Sequence, residues 1–407
     1  QVAEIWTIGN VEVTQPGKLG EPPLRISGDR LHMQNQSEAD QLVHVCGAPA
    51  HIRDRQMHIQ GSNVHLDRNR NHAWVNGAGL LQLPVDKDLD GKPLKTPQIL
   101  DIWWKDKMTF DGKSAKFLGD VLTSLEHSRM RCPEMEVLLT ERISFADVDR
   151  DDRDADDNPK VDVNFMICKG GVDIESREYV EQQPVQIRRS HFRNLTLNKA
   201  TGKQLANGPG WITVWRKAEG NRAGLSSIAT VRANKPLQAD TAEWEYSRID
   251  FSGKSDGNMK DRFTTFSDRV EVVHGPVEQP LSIIDPDNIP ENGGWMRCDQ
   301  MQLTQFEKTE TTPAYIKMLG SGNAELEGRM PGRSRSETRG ESFRARADTI
   351  SFDESKGLYI LRSRGNRTAT VWRQKQRGDE YSSHDAKRIE FIPALNQLKT
   401  NRASGTI

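Results

Sequence analysis

Three aspartates, Asp86, Asp88 and Asp90, precede Gly91 in the run DKDLDG, whose spacing can set three oxygens around a Ca²⁺ ion with glycine at the sharp bend. The bidentate glutamate that completes such a loop is replaced by Pro97, and the flanks carry no helical pattern. These aspartates are the candidate metal ligands, with an ordinary acidic turn as the alternative. The stretch 147–157 holds seven Asp and two Arg, and could gather divalent ions diffusely or be a solvated loop. Gly253-Lys254-Ser255-Asp256-Gly257 matches GxSxG, but its counterpart Gly112-Lys113-Ser114-Ala115-Lys116 lacks the second glycine, and no helix pattern follows either, so both read as strand-end turns. The same Gly-Lys-Ser tripeptides fail as phosphate loops, because Lys107 and Arg248 stand where the earlier glycine is required.

His44, His51, His58, His65 and His72 recur every seven residues, a spacing that on strands is not expected to converge them on one point, and no HExxH is present. No pair of carboxylates stands out as an acid and base couple. Cys46, Cys132, Cys168 and Cys298 lie far apart without CxxC spacing, which argues against structural zinc. Buried thiols are favoured over two disulfides, because the residues around them alternate as in strands. The expectation is a non-catalytic protein with no cofactor.

The elements that would position these groups are strands. Apolar residues alternate at Leu31 and Met33, Val43 and Val45, Val64 and Leu66, Ile249 and Phe251, Ile350 and Phe352, and Ile389 and Phe391. Period two buries one face of a strand. Turn-forming clusters at 67–71, 198–202 and 353–357 separate the runs, and 86–97, 147–159 and 278–294 read as polar loop insertions.

The chain also repeats itself. Met130-Arg131-Cys132-Pro133-Glu134-Met135 returns as Met296-Arg297-Cys298-Asp299-Gln300-Met301, and the segment from Trp103 to Ser114 returns from Trp244 to Ser255 with six positions in register. Asn76-Gly77-Ala78-Gly79 answers to Asn207-Gly208-Pro209-Gly210 upstream of both, and Thr213-Val214-Trp215-Arg216 to Thr370-Val371-Trp372-Arg373. Ordered matches of this kind predict an all-β, elongated antiparallel β-jellyroll or β-solenoid of tandem repeats. Its segments are expected at 1–57, 58–189, 190–330 and 331–407, within one continuous solenoid cut from a longer chain.

Composition agrees with an elongated fold: only 35% of residues are hydrophobic and 6% aromatic, a thin supply for one large compact core. Lys and Arg (57) nearly cancel Asp and Glu (58), so no global charge calls for nucleic acid as a partner. No charged leader or apolar run of membrane-spanning length is seen.

The run Ala347-Asp348-Thr349-Ile350-Ser351-Phe352-Asp353, with Leu358-Tyr359-Ile360-Leu361, Gly365 and Ala369-Thr370-Val371, resembles the OstA-like repeat of lipopolysaccharide-transport proteins. A looser copy runs through Gly28-Asp29-Arg30-Leu31-His32-Met33, Leu42-Val43-His44-Val45 and Gly61-Ser62-Asn63-Val64-His65-Leu66-Asp67. The resemblance covers 27–84 and 343–407 well and is weaker between them. It implies a periplasmic envelope protein that binds or bridges lipopolysaccharide-like lipid along an apolar β-groove. Implied partners are other modules or further copies joined by edge-strand pairing, and inner- or outer-membrane transport components. The inward-facing candidates for the groove are Trp103, Met108, Phe110, Trp244, Ile249, Phe251, Ile350, Phe352, Val371 and Ile389. Two other readings stand beside this one: an envelope scaffold with a closed core, and a polysaccharide-acting β-solenoid enzyme.

Overall fold

The computed structural model describes residues 3–15, 23–35, 41–54, 57–87, 93–142, 163–217, 244–307, 309, 315–330, 340–374, 378–395 and 397–401. Among them the chain is all-β, with two short 3₁₀ turns, Glu354–Lys356 and Pro393–Leu395. No helix among the described residues is long and apolar enough to cross a membrane. The chain divides into two compact units, Gln1–Glu175 with Arg193–Lys203, and Ser176–Phe192 with Gln204–Ile407.

The first unit holds β1 (Glu4–Gln15), β2 (Leu24–Asn35), β3 (Gln41–Asp54), β4 (Met57–Asp67), β5 (His72–Lys87), β6 (Pro93–Trp104), β7 (Lys107–Phe110), β8 (Ser114–Leu125) and β9 (Ser128–Leu139). Two long strands, β10 (Val163–Val180) and β11 (Gln183–Asn198), divide their residues between the units. The strands β12 (Lys203–Asn207), β13 (Gly210–Lys217), β14 (Trp244–Phe251), β15 (Lys254–Asn258), β16 (Phe263–Val277), β17 (Gly294–Phe306) and β18 (Tyr315–Arg329) follow. The second unit ends with β19 (Ser342–Asp353), β20 (Leu358–Arg362), β21 (Ala369–Gln374), β22 (Ser382–Ala386), β23 (Arg388–Ile392) and β24 (Gln397–Asn401). Pairing is antiparallel, mostly between strands adjacent in sequence.

Bulges in the backbone organise both units. The long strands break register near their middles, at Ser27/Arg30, Cys46/Ala50, Gly61/Asn63 and Leu118/Val121 in the first unit. The second repeats this at Ser267/Val270, Arg297/Gln300 and Ser321/Ala324. Several breaks are Gly-Asn or Gly-Asp pairs with positive φ, such as Gly119 (83°) with Asp120 (50°) and Gly322 (75°) with Asn323 (46°). Such bulges bend a strand and raise its twist.

A bulge also reverses which parity faces inward. In β9 the buried residues run Met130, Cys132, then Met135, Val137 and Leu139; in β17 they run Met296, Cys298, then Met301. The step of three between Cys and Met is the bulge, so the repeated MRCxxM motif is the sequence mark of a bent strand. In the second unit the two halves of β19 pair with different strands, β21 with one and β20 with the other, giving two layers over a shared interior.

The loop expected at 278–294 covers part of the outer face. Ile284 is buried against Trp215, Trp244, Tyr246, Val273 and Val277, a small apolar cluster of its own. Trp215 Nε1 donates to the Ser282 carbonyl at 2.7 Å and ties the loop down.

Candidate functional site

Eight of the ten predicted lining residues occupy inward positions of their strands. Met108 stands between Val75 and Phe117, and Phe110 between Ala73 and Ala115, in the first unit. In the second, Ile249 pairs with Ile212 and Val272, and Phe251 lies against Phe192 and Phe266. Ile350, Val371 and Ile389 are 0% exposed and Phe352 is 1% exposed. Phe110 and Ile249 are only half-buried.

The other two face outward. Ile102 and Trp104 take the inward places on β6, so Trp103 between them points to the opposite side, next to Leu80 and Leu122. Trp244 belongs with Tyr246 in the cluster under the 278–292 loop. Alternation fixes the consequence: a one-residue difference in phase moves a side chain to the other face.

The interior is apolar with few polar intrusions. Trp104 Nε1 reaches the Gly77 carbonyl at 3.0 Å, which lets the indole pack inside. His274 is 1% exposed; its Nδ1 lies 2.8 Å from Ser247 Oγ, and its Nε2 has no partner among the described residues. Burial drives the His274 pKa down to about 3, so the ring is neutral at physiological pH. A Ser–His contact invites a nucleophile reading, yet no carboxylate among the described hydrogen bonds orients the ring, and Ser247 is met from Nδ1. Ser255 of the GxSxG match is 2% exposed within β15, far from an exposed elbow.

The outer face of the second unit is charged and self-paired. Register aligns Glu271, Arg297, Glu325 and Arg346 across four strands, with ion pairs Arg297–Glu271 at 2.8 Å and Arg346–Glu325 at 3.3 Å. Exposed pairs of this kind contribute little to stability, about 0–1 kcal/mol each; their effect is to keep this face in water. At one end a cavity of about 520 Å³ is lined by His191, Trp211, Asp250, Arg269 and Glu271 among others.

In the first unit the outer face carries the seven-residue histidines. Each step of seven crosses either a bulge or a hairpin turn, and both convert an odd spacing into the same face. His44 and His65 stack at 3.9 Å between ring centroids, and Trp74 continues the stack at 4.6 Å from His65. Trp6, which is 65% exposed, stacks on His32 at 3.6 Å. Burial lowers the His44 pKa and takes that of His65 down to about 4. A second group is hydrogen-bonded: His51 Nδ1 to His58 Nε2 at 3.0 Å, His58 Nδ1 to Gln82 Oε1 at 2.9 Å, and Gln82 Nε2 to Asp101 Oδ1 at 2.9 Å. The periodicity is visible in the sequence; its convergence on one face depends on the bulges.

Asp88 and Asp90 lie outside the described residues, as does the side chain of Asp86 and the stretch 147–157. No group of three or more metal-ligating side chains occurs among the described residues. All four cysteines are free thiols; Cys132, Cys168 and Cys298 are buried and Cys46 is partly so, its Sγ 3.1 Å from His44 Nε2. No protein-family model and no curated protein sequence matches the chain.

Proposed function

We propose that this chain is a non-catalytic cell-envelope module that binds and bridges an amphipathic, lipopolysaccharide-like lipid along the apolar interior of its bent strands. The observation that carries the reading is the phase reversal at the bulges. It turns both halves of long strands such as β9, β17 and β19 apolar-side inward, and Ile350 and Phe352 of β19 share the interior with Met108, Phe110, Ile249, Phe251, Val371 and Ile389 of the shorter, unbulged strands of the two units. Transfer of acyl chains between such surfaces needs no reacting group, only an apolar lining worth about 0.8 kcal/mol per CH₂ removed from water.

A second reading, an envelope scaffold with a closed core, is favoured by one observation: Ile350, Leu361, Val371 and Ile389 are 0% exposed, already sealed by neighbouring side chains. Photo-crosslinking separates the two. Probes at Phe110 and Ile249, inward but half-buried, should yield lipid adducts in envelope-containing cells, while a probe at the outward Leu319, 41% exposed, should not. Folded protein without adducts at the inward positions would replace the conduit by the scaffold.

A further inference from the structure

The hydrogen-bond chain on the outer face of the first unit has a directionality that the side-chain chemistry dictates. Asp101 presents a carboxylate, which accepts and does not donate, so Gln82 must turn its amide nitrogen toward it, at 2.9 Å. The Gln82 carbonyl oxygen is thereby left facing His58 Nδ1, also at 2.9 Å, and His58 must carry its proton there. The remaining lone pair of His58, on Nε2, is aimed at His51 Nδ1, 3.0 Å away. An imidazole whose distal N–H is held by an oxygen acceptor, itself held by a carboxylate, has the outer-shell arrangement that orients metal-ligating histidines.

The spacing fits the same purpose. Two imidazole nitrogens bound to one ion at about 2.0–2.1 Å are about 2.9 Å apart when adjacent at a right angle and about 3.4 Å apart in a tetrahedron. The observed 3.0 Å falls within that range.

We infer that His51 and His58 form a bidentate site for a divalent transition-metal ion, Zn²⁺ or Cu²⁺, which replaces the proton they share and pins β3 to β4. No net proton is released: the His51 proton moves from Nδ1 to Nε2, where the N–H donates to solvent. His58 keeps its Nδ1 proton on Gln82. Water fills the remaining coordination positions. Arg53, paired with His58 in the strand register, opposes the added charge, and Asp101 offsets it through Gln82.

The test is Cu²⁺ titration of the full chain at neutral pH, followed by electron paramagnetic resonance and by competition with a chromophoric chelator. The expected result is one site whose hyperfine pattern reports two equivalent-class imidazole nitrogens. H51Q and H58Q should each weaken it at least tenfold, and Q82A, which touches no metal, should weaken it roughly 10- to 100-fold. H72Q, on the same face but outside the pair, should leave it unchanged. Circular dichroism of each variant separates loss of the site from loss of the fold. Binding that survives both H51Q and H58Q, or that falls equally in H72Q, would overturn the assignment, as would failure of the folded wild-type chain to bind.

Discussion

Phe343 and Phe391 meet edge to face with ring centroids 5.2 Å apart, although their strands are not hydrogen-bonded to each other. Phe343 lies in the half of β19 that pairs with β21, whereas Phe391 on β23 reaches the other half of β19 only through β20. Their contact therefore joins the two layers of the second unit across its interior. Both rings are 1% exposed. Removing the Phe343 ring leaves a cavity that two layers of hydrogen-bonded backbone can close only in part, so Phe343→Ala should cost about 3–5 kcal/mol in urea-induced unfolding. Phe343→Leu, which keeps most of the volume, should cost less than half of that. A cost near zero for the alanine variant would mean that the layers are held elsewhere.

The fold class is legible in the sequence because period-two alternation, at pairs such as Ile350 and Phe352, matches the pleat of a strand and not the turn of a helix. The repeat is legible too, in the two copies of MRCxxM. What escapes is phase. Apolar character alone places Met108 and Phe251 inward but misplaces Trp103, whose neighbour Trp104 is equally large, and Trp244, which shares the outward face of β14 with Tyr246 and stands an odd five residues from the inward Ile249. The step of three from Cys132 to Met135 is a signal of the bulge, since a strand without one keeps even spacing. The histidine period of seven carries the same signal. Nothing local in the sequence shows that Trp215 is capped by the carbonyl of Ser282, a contact that depends on where a polar insertion folds back.

At Gly119 the bend itself can be tested. Its φ is +83°, and a Cβ there would collide with the Asp106 carboxylate and stand 2.8 Å from Asp106 N. The same turn carries Lys105 N–H to Gly119 O at 2.6 Å and Asp106 N–H to Leu118 O at 3.0 Å. Gly119→Ala should destabilise by about 2–4 kcal/mol, combining left-handed strain of about 1–2 kcal/mol with displacement of that turn. Gly365 is the control: φ is +61° but nothing lies within 4 Å of the added carbon, so Gly365→Ala should show the strain alone. Equal losses in the two variants would refute the steric part of the argument.

Two buried groups of the second unit should impose opposite pH dependences on stability. His274 has its folded pKa depressed from 6.5 to about 3 by burial, so it stays neutral while the unfolded chain takes up a proton. Its contribution is complete above pH 6.5 and is lost as pH falls toward 3, at up to about 1.4 kcal/mol per pH unit. Glu354 is the reverse. Burial raises its folded pKa from 4.5 to about 7, against the pull of the Ile316 N–H that donates to Oε2 at 2.6 Å. The folded state holds a proton that the unfolded chain releases, so this contribution is complete below pH 4.5 and is lost as pH rises to 7. Glu354→Gln keeps an acceptor for Ile316 and removes the titration, and should therefore raise stability more at pH 8 than at pH 5. His274→Gln should flatten the decline between pH 6.5 and 5 whatever its effect at pH 8. Urea unfolding of the wild type and both variants across pH 5 to 8 measures these slopes. A Glu354→Gln difference that is the same at both ends of the range would show that the carboxyl ionises in the fold as freely as in the unfolded chain.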